Sequence, residues 1–155
     1  MAADAGPAAA ERYVPHAADA VLLEQVWREG ELVTHGSALT RPGTPFCADP
    51  HGWPAWLLIE VMAQVVAASA GLREYRPGVR PRLGLLLGVR AFTAASDSVA
   101  FGMRLAIAIT ESTRDEFGMG VFDCEVRVAG VRMASAILSV YLPDDVDGYL
   151  ESLES

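Results

Sequence analysis

A chain of 155 residues is enough for one domain with a real core, and 52% hydrophobic against 21% charged residues excludes disorder. A net charge of -8 and a pI near 4.8 exclude general nucleic-acid binding, which needs a basic face to displace counterions. All 12 basic residues are arginine, which excludes lysine Schiff-base chemistry and a P-loop. The mean hydropathy of +0.26 is high for a globular chain and predicts a face buried against another subunit.

In chain order, residues 1–12 are Ala-rich and aperiodic and are expected to form a disordered N-terminal end. Asp4, with no basic residue ahead of an apolar run, does not read as a secretory signal. Residues 21–27 and 31–40 read as two strands joined by a hairpin turn. Residues 41–53 hold Pro42, Gly43, Pro45, Pro50 and Gly52 and must be irregular. A helix is predicted over 55–72, with Pro54 suited to its first position and Gly71 to the residue past its end. It is apolar nearly all round, so it is expected to be buried on every face, as a central helix wrapped by a sheet would be.

After Pro81 the period changes to two. Val99, Phe101, Met103, Leu105, Ile107 and Ile109 alternate with small or polar residues, so 99–110 reads as one strand. Phe122, Cys124, Val126 and Val128 oppose Asp123, Glu125 and Arg127. The run 132–142 is apolar on both sides, as a central strand would be. Short joins make these an antiparallel meander. The expected fold is therefore α+β, an antiparallel sheet around one long central helix. The domain spans 13–143, and an acidic tail spans 144–155.

Glu60 is the most informative residue. It lies inside an apolar helix, where a carboxylate needs a partner or a raised pKa. Gln64 is one turn on, on the same face. The structural alternative is a carboxylate paired with an arginine or a backbone N–H. Of the three histidines, His16 precedes the first strand, His35 alternates within a strand, and His51 lies in the loop feeding the helix. Cys47 and His51 lack a third orienting group for thiol chemistry. Neither cysteine sits in a metal-spaced motif, and no cofactor or metal is expected. The longest apolar stretch, 56–70, contains Glu60 and Gln64 and is too short and polar for a membrane span; the expected compartment is the cytoplasm.

Ile59-Glu60-Val61-Met62-Ala63-Gln64 resembles the E-x-M-A-Q helix of the hot-dog-fold 3-hydroxyacyl-[acyl carrier protein] dehydratases, and Val14-Pro15-His16 resembles their opening L-P-H segment. Pro54-Ala55-Trp56, then Gly84 through Arg90, then Gly120-Val121-Phe122-Asp123-Cys124 are similar to the ApeP-like dehydratases of aryl-polyene and highly reducing type II polyketide pathways. The resemblance implies a hot-dog fold, with sites formed in homodimers or in heterodimers with a related subunit. It implies loss of water from a 3-hydroxyacyl thioester on an acyl carrier protein, during polyene or fatty-acyl-type chain building.

Under that resemblance Glu60 and His16 are the catalytic pair. A histidine would take the C2 proton, and a carboxylic acid of raised pKa would protonate the leaving hydroxyl. The family's usual loop histidine falls at the position of Phe46, with His51 nearby but out of register. Gln64, His51, Trp56 and Phe46 are the candidate substrate-binding residues. Backbone N–H groups around 53–56 could polarise the thioester. Met62, Val66, Phe92, Phe101 and Met103 could line an acyl tunnel. Arg73, Arg76, Arg80 and Arg82 form a basic run able to dock the carrier and its phosphate. A half-site or non-catalytic partner subunit is the alternative, favoured by the missing loop histidine. A hot-dog thioesterase is a third reading, against which the M-A-Q context argues.

Overall fold

The computed structural model describes residues 6–154 except Ala17, Phe46, Leu83 and residues 144–150. Phe46 and most of the acidic tail therefore lie outside the described residues.

Among the described residues, nine strands and one long helix follow in the order β1 (Ala8–Ala9), β2 (Gln25–Glu29), β3 (Val33–Leu39), β4 (Gly52–Pro54), α1 (Leu57–Arg73), β5 (Leu85–Ala94), β6 (Ser98–Ala100), β7 (Arg104–Arg114), β8 (Met119–Val128) and β9 (Val131–Tyr141). The large sheet is antiparallel, in the order β1-β2-β3-β7-β8-β9-β5, and β4 pairs with β6 beside it. This is the expected α+β hot-dog architecture, one sheet curved around one central helix.

Alternation sets which face meets the helix. Leu105, Ile107 and Ile109 of β7, Phe122, Cys124 and Val126 of β8, and Ala134, Ala136 and Leu138 of β9 are all buried. They pack with Leu57, Leu58, Val61, Met62 and Val65 of α1 in one core. The turns carry the expected chemistry. Ala129 and Gly130 take positive φ between β8 and β9. Between β7 and β8, Asp115 Oδ1 accepts from Phe117 N and Met119 N, each at 2.9 Å.

Four expectations need correction. Residues 8–12 are built into the fold: Ala8 and Ala9 pair with Val26 and Gln25, and 10–12 form a 3-10 turn. The strand expected over 99–110 is two strands, broken where Gly102 takes φ +86 and donates its N–H to the Thr40 carbonyl. Pro54 ends β4, opposite Ser98, instead of opening the helix. Gly71 lies inside α1, not past its end, because the Tyr13 backbone packs against it where a Cβ would collide with the Tyr13 carbonyl oxygen.

The helix is also not buried all round. Leu57, Leu58, Val61, Met62 and Val65 are sealed. Glu60, Ala63, Ala67 and Ala70 form a half-open stripe at helical spacing. Three alanines where leucine would have filled the space leave room beside the sheet.

Candidate active site

That stripe is one wall of a cavity of about 200 Å³ between α1 and the strands β5, β8 and β9. Val66, Phe122, Val140 and Leu142 make much of the remaining lining apolar, and His16 and Glu60 face into it. Of the five residues expected to line an acyl tunnel, Val66 lines this cavity, whereas Met62 is fully buried in the core.

Glu60 belongs to the first turn of α1. His16 comes from the turn ahead of the 3-10 segment Ala18–Ala20. The chain brings them together with His16 Nε2 3.5 Å from Glu60 Oε1. Gln64, fully buried, holds the assembly. Its Oε1 accepts from Leu22 N at 2.8 Å, and its Nε2 donates to the Ala20 carbonyl at 2.9 Å and to Glu60 Oε1 at 3.1 Å. One amide thus satisfies the backbone of the segment following His16 and orients the carboxylate. His16 Nδ1 is buried without a hydrogen-bond partner among the described residues.

The electrostatics reverse one expectation. Burial is the largest single influence on Glu60 and raises its pKa, but the hydrogen bonds from His16 and Gln64 and the His16 charge together outweigh it. The carboxyl is held below the ordinary range, so it is ionised at neutral pH. Glu60 therefore does not rest as the protonated acid expected of it.

The other candidate residues scatter. His51 is exposed, its N–H donating to Asp49 Oδ1 at 2.8 Å, and Trp56 is exposed just ahead of α1; neither lines the cavity of this chain. The Ala55 N–H, one of the expected thioester donors, is taken by the Asp97 carbonyl. Cys47 Sγ points to the Gly52 carbonyl at 3.5 Å, and burial, with Asp123 adding to it, pushes the Cys124 thiol up to about 12.

The basic run divides. Arg73 contacts Glu111 at 3.4 Å, and Arg82 grips Glu74 through two hydrogen bonds. Arg76 and Arg80 are exposed. All four line a shallow depression beyond the helix C-terminus, and Arg82 also lines the main cavity, joining the two. Arg114 lines the cavity too and went unnoticed in the sequence.

The sequence profile of the ApeP-like family, described as ApeP dehydratase, matches residues 8–151. The chain belongs to the ApeP-like dehydratase family. Among solved structures it is similar to a chain of the dehydratase heterocomplex ApeI:P from Xenorhabdus doucetiae, with 28% identity, a TM-score of 0.84, and 96% of this chain and 99% of that one covered. It shares its fold with AziG of S. sahachiroi at 16% identity and TM-score 0.57, covering 78% and 90% of the two chains. A hypothetical thioesterase from Streptococcus pneumoniae TIGR4, solved with coenzyme A, shares the fold at 9% identity and TM-score 0.56, covering 76% and 83%. No curated protein matches the sequence. No helix of the described residues is long and apolar enough to cross a membrane.

Proposed function

We propose that this family member removes water from 3-hydroxyacyl thioesters on an acyl carrier protein, giving trans-2-enoyl thioesters during polyene or fatty-acyl-type polyketide chain building in the cytoplasm. The observation that carries the proposal is the His16–Glu60 pair facing an apolar cavity, with Gln64 locking the carboxylate.

The lowered pKa of Glu60 gives the cycle a direction. His16 Nε2 takes the C2 proton of the bound thioester. The C2–H electron pair forms the C2–C3 double bond, and the C3–O bond breaks. The proton passes from His16 Nε2 to Glu60, across a 3.5 Å gap that substrate would tighten, and then to the departing hydroxyl, which leaves as water. A carboxyl of low proton affinity is a poor reservoir and a strong donor once loaded. The enzyme ends each turnover in its starting protonation state.

The active unit we propose is a hot-dog dimer, with itself or with a related dehydratase subunit. Among the described residues strand β5 is one edge of the large sheet, and its Leu86, Leu87 and Val89 are exposed. Leu86 also lines the cavity, so a subunit added at that edge would close its wall. The similar structure from X. doucetiae is a heterocomplex, which supports a heteromeric arrangement. Phe46 at the usual histidine position supports a second reading, a half-site or non-catalytic subunit that shapes a shared tunnel. In either reading His51, Trp56 and Phe46 would serve the neighbouring subunit's substrate, and Arg76 and Arg80 would meet the carrier.

Incubation with a 3-hydroxyacyl carrier protein, alone and with the related dehydratase subunit, tests this by product mass. Loss of one water with the chain alone supports the catalytic reading. Loss only with both subunits, and only while Glu60 is intact, supports a heteromeric site containing this dyad. Release of free acid would make it a thioesterase.

A further inference from the structure

The cavity has a second end. Its wall runs along α1 from Glu60 to Ala70, about 15 Å at the helical rise, and beyond Ala70 lie Arg82 and Arg114 instead of more hydrocarbon. A tunnel for a plain alkyl terminus would gain nothing from two guanidinium groups there, since covering them without a hydrogen-bond acceptor costs free energy.

Arg114 ends β7 and contacts Glu111 through Nε at 2.9 Å. No hydrogen bond among the described residues engages its Nη nitrogens. Glu111 sits at an inward-facing position of the same strand, its side chain only 9% exposed. It faces three cations: Arg114, Arg73 at 3.4 Å, and Arg28, close enough for its charge to act. Arg73 Nη1 is buried without an acceptor, and Glu111 Oε1, despite the ion pair, has no aligned donor. Three guanidinium groups thus share the Glu111 carboxylate beside the cavity. Arg82 is balanced by Glu74 and contributes polarity rather than net charge.

Resting on the dehydratase reading, we propose that this end is an anion-anchoring subsite in which Arg114, held by Glu111, binds an anionic oxygen group of the same substrate whose thioester lies at His16 and Glu60. Arg114 is the binding residue and Glu111 a positioning residue. The anion has two chemically equivalent sources, a phosphate on the carrier's pantetheine arm or a carboxylate at the far end of the acyl tail. Both present the geometry a guanidinium fork binds best.

The test is calorimetric binding to the full chain of pantetheine analogues with an amide in place of the thioester, so nothing turns over. The reference carries no phosphate and a methyl-ended tail. One relative adds the 4′-phosphate, the other a terminal carboxylate. At low salt one anionic ligand is expected to bind about tenfold tighter than the reference. That gain, read within each protein as the ratio of anionic to reference affinity, disappears in Arg114→Met and shrinks in Glu111→Gln. Whichever ligand gains identifies the source. Equal binding of all three ligands, or a gain that survives Arg114→Met, overturns the subsite. Should Arg114→Met lose its circular-dichroism melt, Glu111→Gln decides, and an undiminished gain there overturns it. Because the readout is affinity, a failed dehydration assay and a failed subsite are separate results.

Discussion

Beside each end of α1 a carboxylate sits on the inward side of an apolar element, Glu60 on α1 itself and Glu111 on β7, and the two are shifted in opposite directions. At the N-terminal end Glu60 is pulled below its ordinary value; at the C-terminal end Glu111 is raised above it. Burial pushes both upward. Glu111 has more cations around it, yet its contacts are a 3.4 Å hydrogen bond from Arg73 and an unaligned ion pair from Arg114. Glu60 has a directed donor from Gln64 and an imidazole at 3.5 Å. Aimed hydrogen bonds, more than nearby charge, set the direction in which each carboxylate is shifted.

Breaking the N-terminal end should have the largest effect. Glu60→Gln keeps shape and hydrogen-bonding capacity but cannot carry the proton, and kcat with a 3-hydroxyacyl carrier protein should fall by about 10²–10⁴-fold. His16→Ala should fall comparably in kcat while the thermal midpoint barely moves, since its Nδ1 holds nothing in place. A kcat within twofold of wild type in both variants would refute the dyad. Gln64→Leu should instead act on stability. It strands the Leu22 N–H and the Ala20 carbonyl, at about 1–3 kcal/mol for each group left buried without a partner, read by urea denaturation.

The pH dependence sharpens the contrast. The relay starts with Glu60 unprotonated, so kcat/KM should rise as Glu60 ionises below the ordinary carboxylate range and then hold a plateau. A preloaded carboxylic acid would give a bell, with activity falling as Glu60 ionises below the ordinary carboxylate range. A descending alkaline limb in the carboxylate or neutral range would reject the relay. The smallest effect belongs to the far end. Arg76→Glu or Arg80→Glu should weaken carrier binding by about three- to tenfold and alter its salt dependence, whereas Arg73→Gln and Arg82→Gln mainly release Glu111 and Glu74.

Much of this was legible in the sequence where the signal was local. Glu60 and Gln64 interrupt an apolar run four residues apart, and period-two alternation marked the buried faces of β7, β8 and β9. What stayed hidden depended on distant partners. Gln64 finds Ala20 and Leu22 more than forty positions away. Pro54 is drawn into β4 by Ser98, and Gly102 breaks a strand because Thr40 takes its N–H. Glu111 was legible in principle. It continues the inward series of Leu105, Ile107 and Ile109, but the run turns polar on both faces at Thr110, Glu111 and Ser112, which hides the alternation. The alanines at 63, 67 and 70 carry no signal of their own in an apolar helix; only the sheet opposite shows that they make room.

Gly71 ties the two ends together. The Tyr13 carbonyl rests on the bare α-carbon of a glycine near the tail of the rod, and three residues further along that same strip of backbone is His16. A methyl group at position 71 would lift the strip from its seat and widen the gap between His16 and Glu60. The tolerance of that contact is therefore set at the opposite extremity of the helix, by a side chain that consists of one hydrogen atom.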